Sequence, residues 1–397
     1  MNRPFLSDVL LLDASFSAVP IHKALRAAGH RVWTMGNRSR DALALAFPEL
    51  WIEGDYGNLI SVQSEMHMRG IDLVVPGCTD VAMTTFAALG GTLHYPCSAE
   101  TQASLNSKDQ FRALCTELDL PCPEVILPNA LPSEGLFICK PAIGFSGRGI
   151  SIFDASCPSD IQKALAMARA SSPTGQIVCE AFVEGPLYSF SVFLVNGIIF
   201  RSFVVREGSR YDRFSVDTSY VVPLDEWPET APLTCAIEKL SKRLQFCNGL
   251  VHVQFIAGKF GPQIIEITRR CPGDLYAKLI EDSTGFPYAS WYALSFTMSH
   301  FPPAISDESI ADNLRADEIS LFCKSVLRMT LKEEVGTSFQ GLVIPQLNAD
   351  TEVIPLRMPG EDITGAGYER TAVVFQRFSS HERCLAAFDF FLSKKRQ

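Results

Sequence analysis

Between Val9 and Pro76 the sequence alternates strand and helix periodicities, and the first strand-to-helix turn contains no glycine. An apolar strand, Val9–Leu12, precedes a helical stretch over Ile21–Ala28 that Gly29 stops. Arg31–Gly36 reads as a second strand, Leu59–Arg69 as a helix ended by Gly70, and Ile71–Pro76 as a third strand. That spacing predicts βαβ units and a parallel sheet, which binds ligands at the carboxyl ends of its strands. The loops holding Asp13, Ser15, Gly77, Thr79 and Asp80 should therefore face a site. A dinucleotide fingerprint needs G-x-G-x-x-G after the first strand, but this turn reads Asp13-Ala14-Ser15-Phe16-Ser17-Ala18. No G-x-x-x-x-G-K-[ST] occurs anywhere either. This Rossmann-like layer lacks its usual phosphate grip, so any phosphate machinery must lie further along the chain.

With 397 residues there is room for two to three domains of roughly 150 residues each. The net charge of −9 argues against a nucleic-acid or anionic-membrane binder, whose footprint is a basic excess. Twelve cysteines stand singly with no C-x-x-C pair, as expected of reduced, mostly buried thiols rather than a zinc site or disulfide scaffold. The apolar run near the N-terminus is cut short by Asp13, and no stretch approaches ~18 apolar residues. The expectation is a soluble cytoplasmic protein with no nucleic-acid or membrane partner.

The middle of the chain carries the chemistry. Ser107 opens a helix with a capping-box pattern to Gln110, an apolar stripe Phe111, Leu114, Cys115, Leu118, and Lys108 in its first turn. Leu136–Pro141 is a strand ending in Lys140, followed by a glycine-rich turn with Gly144, Ser146, Gly147, Arg148 and Gly149, then another strand. Such a hairpin tip lets backbone N–H groups approach an anion. Ile177–Ala181 brings Glu180, then Phe182, Val183 and Glu184 before Gly185. Tyr188–Val195 and Ile198–Val205 flank Asn196-Gly197, the strongest local hairpin signal. Val251–Ile256 and Gln263–Thr268 form a second strand pair. Period-2 alternation sets Gln254 on one face of the first strand, and Glu266 and Thr268 on one face of the second. If the two pair as a hairpin, Gln254 lies beside Glu266, with Arg269 and Arg270 just beyond, an oxygen set suited to magnesium and phosphate.

Taken in order, these motifs resemble the ATP-grasp family, to which biotin carboxylase, carbamoyl-phosphate synthetase and D-alanine–D-alanine ligase belong. The resemblance covers residues 5–300 and implies an α/β and α+β protein. Its expected parts are a Rossmann-like N-terminal domain (1–100), an ATP-grasp domain of two α+β subdomains (101–305, lid about 123–185) and a small C-terminal α+β module (306–397). It implies ATP and Mg2+ (or Mn2+) as cofactors. By position, Lys108 and Lys140 resemble the phosphate-binding lysines, and Gly144–Gly149 the loop that closes over the phosphates. Glu180 and the backbone of Phe182 and Val183 resemble the adenine hinge. Gln254, Glu266 and Thr268 resemble the metal ligands, and Arg270 the arginine that stabilises an acyl-phosphate. Two departures stand out. Thr268 stands where the family usually has Asn, and Leu187 where many members place a ribose-binding carboxylate, for which Glu184 is the candidate substitute.

Beyond residue 305, strands are expected at Ile319–Cys323, Gly341–Pro345 and Glu352–Pro355, then at Ala372–Phe375, with a closing helix over Ser380–Lys394 and a basic end, Lys394–Arg396. The expected function is an ATP-dependent ligase that converts a small carboxylate, an amino acid among the candidates, to an acyl-phosphate for attack by an amine. Arg270 would hold the carboxylate, with Arg269 as a second candidate, and Arg206–Arg213 reads as a basic substrate-side loop or a surface turn. Alternatives are a bicarbonate-activating enzyme and a nucleotide-binding protein without turnover. The partners implied are a carboxylate and an amine, with a homodimer left open.

Overall fold

The computed structural model describes residues 6–92, 95, 97–144, 147–211, 213–298, 324–342, 344, 350–364 and 367–393. The expected strand Ile319–Cys323 and the basic end Lys394–Arg396 lie outside these residues.

Strands β1 (Asp8–Leu12), β2 (Arg31–Gly36), β3 (Trp51–Glu53) and β4 (Leu73–Pro76) form a parallel sheet in the order β3-β2-β1-β4. The whole apolar run Val9–Leu12 is shut off from solvent, as an inner parallel strand covered on both faces requires. Helices α1 (Val19–Ala27), α2 (Ala42–Ala46), α3 (Leu59–Arg69) and α4 (Asp80–Ala88) connect these strands and continue from the last. Asp13, expected to face a ligand, is instead buried between two loops. It accepts the N–H of Ser15 (2.8 Å) and of Cys78 (3.0 Å). A Cβ on Gly77 would lie 2.1 Å from that of Asp13, so this close approach requires glycine.

Helices α5 (Ala99–Asn106) and α6 (Lys108–Leu118) follow. The capping box read at Ser107 does not form: the Ser107 hydroxyl bonds the Asp109 carboxylate, and no side chain caps the helix from that position. Strands β5 (Leu136–Pro141), β6 (Ser151–Asp154) and β7 (Ile177–Ala181) make a small antiparallel sheet in the order β6-β5-β7. It is backed by helix α7 (Pro158–Ser171) through Phe137, Phe153, Ala164 and Ala168.

The third sheet has eight strands: β8 (Leu187–Val195), β9 (Ile198–Gly208), β10 (Thr218–Val221), β11 (Gly249–Gly258), β12 (Gly261–Thr268), β13 (Ser325–Glu334), β14 (Asp350–Pro355) and β15 (Tyr368–Phe378). Their order is β12-β11-β8-β9-β10-β13-β15-β14. The Asn196-Gly197 turn has both residues at positive φ (52° and 78°), the conformation a tight right-twisted hairpin demands. The C-terminal strands thus hydrogen-bond into the sheet that carries β8–β12, through β10 and β13. Gly341, Leu342 and Ile344, expected in a strand, are irregular.

Helix α8 (Ala231–Leu244) and the closing helix, α11 (His381–Ser393), cover one face of this sheet together with α6. The other face meets α9 (Tyr276–Thr284), α10 (Tyr288–Thr297) and the N-terminal layer in one continuous core.

Arg269 is a pin in that assembly. It is fully buried, its guanidinium 4.1 Å from the Tyr95 ring centroid and 4.2 Å from that of Phe246, and it donates to the Asn248 carbonyl. Closed off from solvent in this way, its guanidinium is not placed to meet a substrate carboxylate, the role in which it was the second candidate. Arg269→Ala should lower unfolding free energy by at least about 3 kcal/mol in denaturant titrations, through a cavity and two lost cation–π contacts.

Candidate active site

Strand pairing builds the floor of the site. Gln254 on β11 lies opposite Glu266 on β12 and Ser189 on β8, with a bulge following Gln254. The Gln254 Nε2 donates to Oε2 of Glu207 on β9 at 2.8 Å. A carboxylate only accepts, so the amide nitrogen must face Glu207, leaving the carbonyl oxygen of Gln254 for another partner. Burial pushes the Glu207 carboxyl up, against the pull of Ser189, Arg328 and Gln254. Thr268, on the same face as Glu266, accepts the Arg270 N–H at 3.2 Å. His252, opposite Thr268, is bonded to Ser191 at 2.8 Å. Burial, helped by nearby Arg270, lowers its pKa to about 3, so the ring is neutral.

Above this floor opens a cleft of about 220 Å3 lined by Asp80, Val81, Lys108, Gly144, Ile265 and Glu266, among others. Lys108 anchors the glycine hairpin there: its N–H donates to the Ala142 carbonyl (2.8 Å) and its Nζ to the Gly144 carbonyl (2.9 Å). Gly149 has φ +72°, and a Cβ there would lie 2.4 Å from that of Ser171, so the turn tolerates no side chain. Arg148 and Glu184 are exposed, and Ser146 lies outside the described residues.

Lys140 and Glu180 are drawn together rather than set out for a ligand. Lys140 Nζ lies 2.6 Å from one Glu180 oxygen and Arg112 Nε 2.7 Å from the other, all three side chains buried. Arg112 also donates to the Ile265 carbonyl on β12 at 3.0 Å. Burial alone would raise the Glu180 carboxyl, but Lys140 and Arg112 outweigh it and hold it below its ordinary value. The Phe182 N–H, expected at an adenine hinge, donates to the Leu136 carbonyl (3.0 Å). Val183 follows immediately.

Arg270 grips Asp80 with two N–H groups, Nε to Oδ1 (2.5 Å) and Nη2 to Oδ2 (3.3 Å), at the start of α4. Burial opposes its charge, yet Asp80 and then Glu266 raise its pKa above the usual guanidinium value. The Arg206–Arg213 loop reads differently in three dimensions. Arg206 stacks on Tyr188 and Phe388, Arg210 on Tyr211 and Phe391, and Arg213 lies over Phe182.

Solved structures match nearly the whole chain. The L-amino acid ligase of Bacillus licheniformis superimposes with a TM-score of 0.74 at 15% identity, over 99% of this chain and 98% of that one. The biotin carboxylase domain of Hydrogenobacter thermophilus 2-oxoglutarate carboxylase, solved with MgADP and bicarbonate, gives 0.73 at 14% identity, over 99% and 90%. N5-carboxyaminoimidazole synthetase from Staphylococcus aureus, solved with ADP, gives 0.70 at 11% identity, over 98% of each chain. This chain has the ATP-grasp fold. No family model and no curated protein matches the sequence. Among the described residues, no helix is long and apolar enough to cross a membrane.

Within that ATP-grasp frame, sequence reasoning passed over Arg112 and Glu207. Arg112 stands four residues after Lys108, on the same helical face, a signal the adjoining apolar stripe obscured. Glu207 shows only as a carboxylate inside a strand, and its significance depends on Gln254 two strands away.

Glu180→Ala should cost about 3–5 kcal/mol of stability, because two buried cations lose their counter-ion. Glu180 titrates at 4.5 in an unperturbed chain and lower in the fold, so its contribution is complete above pH 4.5 and fades below it. The stability gap between wild type and Glu180→Gln, followed by denaturant titration against pH, should shrink on acidification below that point.

Proposed function

We propose that the protein is an ATP-dependent ligase that activates a small carboxylate as an acyl-phosphate for attack by an amine, releasing ADP and phosphate. The observation that carries this reading is the convergence of Lys108, the glycine hairpin, Glu266 and Asp80, itself bonded to Arg270, around one cleft of an ATP-grasp fold. A carboxylate is a poor electrophile because its oxygen is a poor leaving group. One of its oxygens attacks the γ-phosphorus of ATP, ADP departs, and the amine then displaces phosphate from the acyl carbon, losing a proton. Such transfer depends chiefly on positioning and charge neutralisation.

In this reading Lys108 and Lys140 contribute positive charge toward the phosphates, Lys140 from its buried seat on Glu180. The N–H groups of Gly144, Gly147 and Gly149, with Arg148, cover the phosphates, while Phe182, Val183 and Glu184 border the adenine and ribose. Arg270 holds the carboxylate and the acyl-phosphate formed from it. The fit to magnesium rests on an all-oxygen donor set: the Glu266 carboxylate, the Gln254 carbonyl left free by its bond to Glu207, and the Thr268 hydroxyl. When bound there, magnesium would supply charge neutralisation at the phosphates. The ADP and MgADP of two structural neighbours support a nucleotide in this fold.

The chain should release ADP and phosphate from ATP when magnesium, an acid and an amine are supplied together; AMP and pyrophosphate would contradict the mechanism. Glu266→Gln should lower kcat about 100-fold or more, the scale of losing one transition-state charge contact, while full activity would remove Glu266 from the metal site. A bicarbonate-activating enzyme is the second reading, favoured by the likeness to a carboxylase domain solved with bicarbonate. ADP release that needs bicarbonate and no organic acid would select it.

A further inference from the structure

The Asp80–Arg270 pair is unusual for a site that must accept an anion. Asp80 lines the cleft and carries 30% side-chain exposure, whereas Arg270, bonded to it, carries 17%. The group proposed to hold the substrate carboxylate is thus already holding one, supplied by the N-terminal layer. Glu266 lines the same cleft, so a second carboxylate stands beside Asp80 there. Lys108 bonds the Gly144 carbonyl, and the rest of the lining is uncharged: the apolar Val81, Leu105, Phe111, Ile143 and Ile265 with the neutral polar Thr84, Thr85 and Asn106.

These neighbours restrict which acid can enter. A simple carboxylate that took Arg270 would leave Asp80 partly desolvated, without its cation, and facing both the incoming anion and Glu266. Removing one partner from a shielded ion pair is costly because the other charge stays behind unpaired. An α-amino acid avoids that outcome, since it carries a carboxylate and an ammonium on one carbon. It can exchange one ion pair for two and leave the net charge of the cleft unchanged.

We propose that Asp80 is the specificity residue that receives the α-ammonium group of an amino-acid substrate, whose carboxylate takes Arg270. The acid activated at this site is therefore a zwitterionic α-amino acid. Asp80 also keeps that amino group protonated and without a lone pair, so attack on the acyl-phosphate falls to the amine of a second molecule. This assignment rests on the cleft being the acid-binding site proposed above.

The test is calorimetric titration of the full chain, saturated with magnesium and a non-hydrolysable ATP analogue. The ligands are alanine and leucine, compared with propionate and 4-methylpentanoate, which lack only the amino group. Wild type should bind at least one amino acid about tenfold or more tightly than its deaminated counterpart. Asp80→Asn should weaken the amino acid about 10- to 100-fold, the scale of a charge-assisted hydrogen bond, without weakening the deaminated acid. Asp80→Glu should recover part of the loss, and a wild-type circular dichroism spectrum and cooperative thermal unfolding show that each variant is folded. If Asp80→Asn tightens both ligand types equally, Asp80 is only a competitor for Arg270 and the proposal is overturned. Failure of wild type to prefer any amino acid overturns it as well. Phosphate release separates this idea from the ligase reading. Asp80-dependent amino-acid binding without turnover sinks the ligase reading alone, whereas turnover of deaminated acids and not amino acids keeps the ligase and sinks Asp80.

Discussion

The arrangement of the cleft depends on one buried carboxylate bridging two cations. Glu180 on β7 takes Lys140 from β5 with one oxygen and Arg112 from α6 with the other, and Arg112 extends to the Ile265 carbonyl beside Glu266. Three charges are removed from water, an arrangement that apolar side chains could often match in stability. What the network provides is registration. It joins the small sheet to the helix that bears Lys108, and that helix to the edge strand that bears Glu266. The hairpin then needs only two bonds to Lys108 to sit over the cleft.

The polar floor follows from a second constraint, the two-residue period of strands. In β11 alternation sends Val251 and Val253 into the core and Gln254 to the cleft side, and in β12 a bulge at Ile265 lets Ile264 and Ile267 both enter the core while Glu266 faces the cleft. Glu207 belongs to the same row, held by Gln254 across β8. The −9 net charge then describes a protein in which Lys108 at the cleft, and Lys140 and Arg270 behind it, each bond an oxygen of the chain. In the proposed reading, a nucleotide and an acid would compete with those partners, which makes each one a point of selectivity.

Features set by local pattern were legible in the sequence. The parallel strands of the N-terminal layer and the Asn196-Gly197 hairpin follow from periodicity and turn chemistry alone, whereas Gln254 meets Glu266 only because a bulge at Ile265 shifts the register that the turn begins. Features set by distant partners were not. Arg269 and Arg270 are neighbours in sequence, yet one is spent on Tyr95 and Phe246 and the other on Asp80, and nothing within β12 distinguishes them. Glu180 looked like a ligand contact because Arg112, 68 residues away, could not be placed beside it. The C-terminal strands read as a separate module because the pairing of β10 with β13 joins segments with no shared local signal.

In the proposed reaction an oxygen of the acid becomes an oxygen of phosphate. Turnover with a carboxylate labelled with 18O in both oxygens, ATP, magnesium and an amine, followed by mass analysis of the released phosphate, measures this directly. An acyl-phosphate intermediate predicts one 18O atom in each phosphate released and unlabelled ADP. Phosphate free of label in an amide-forming reaction would contradict it.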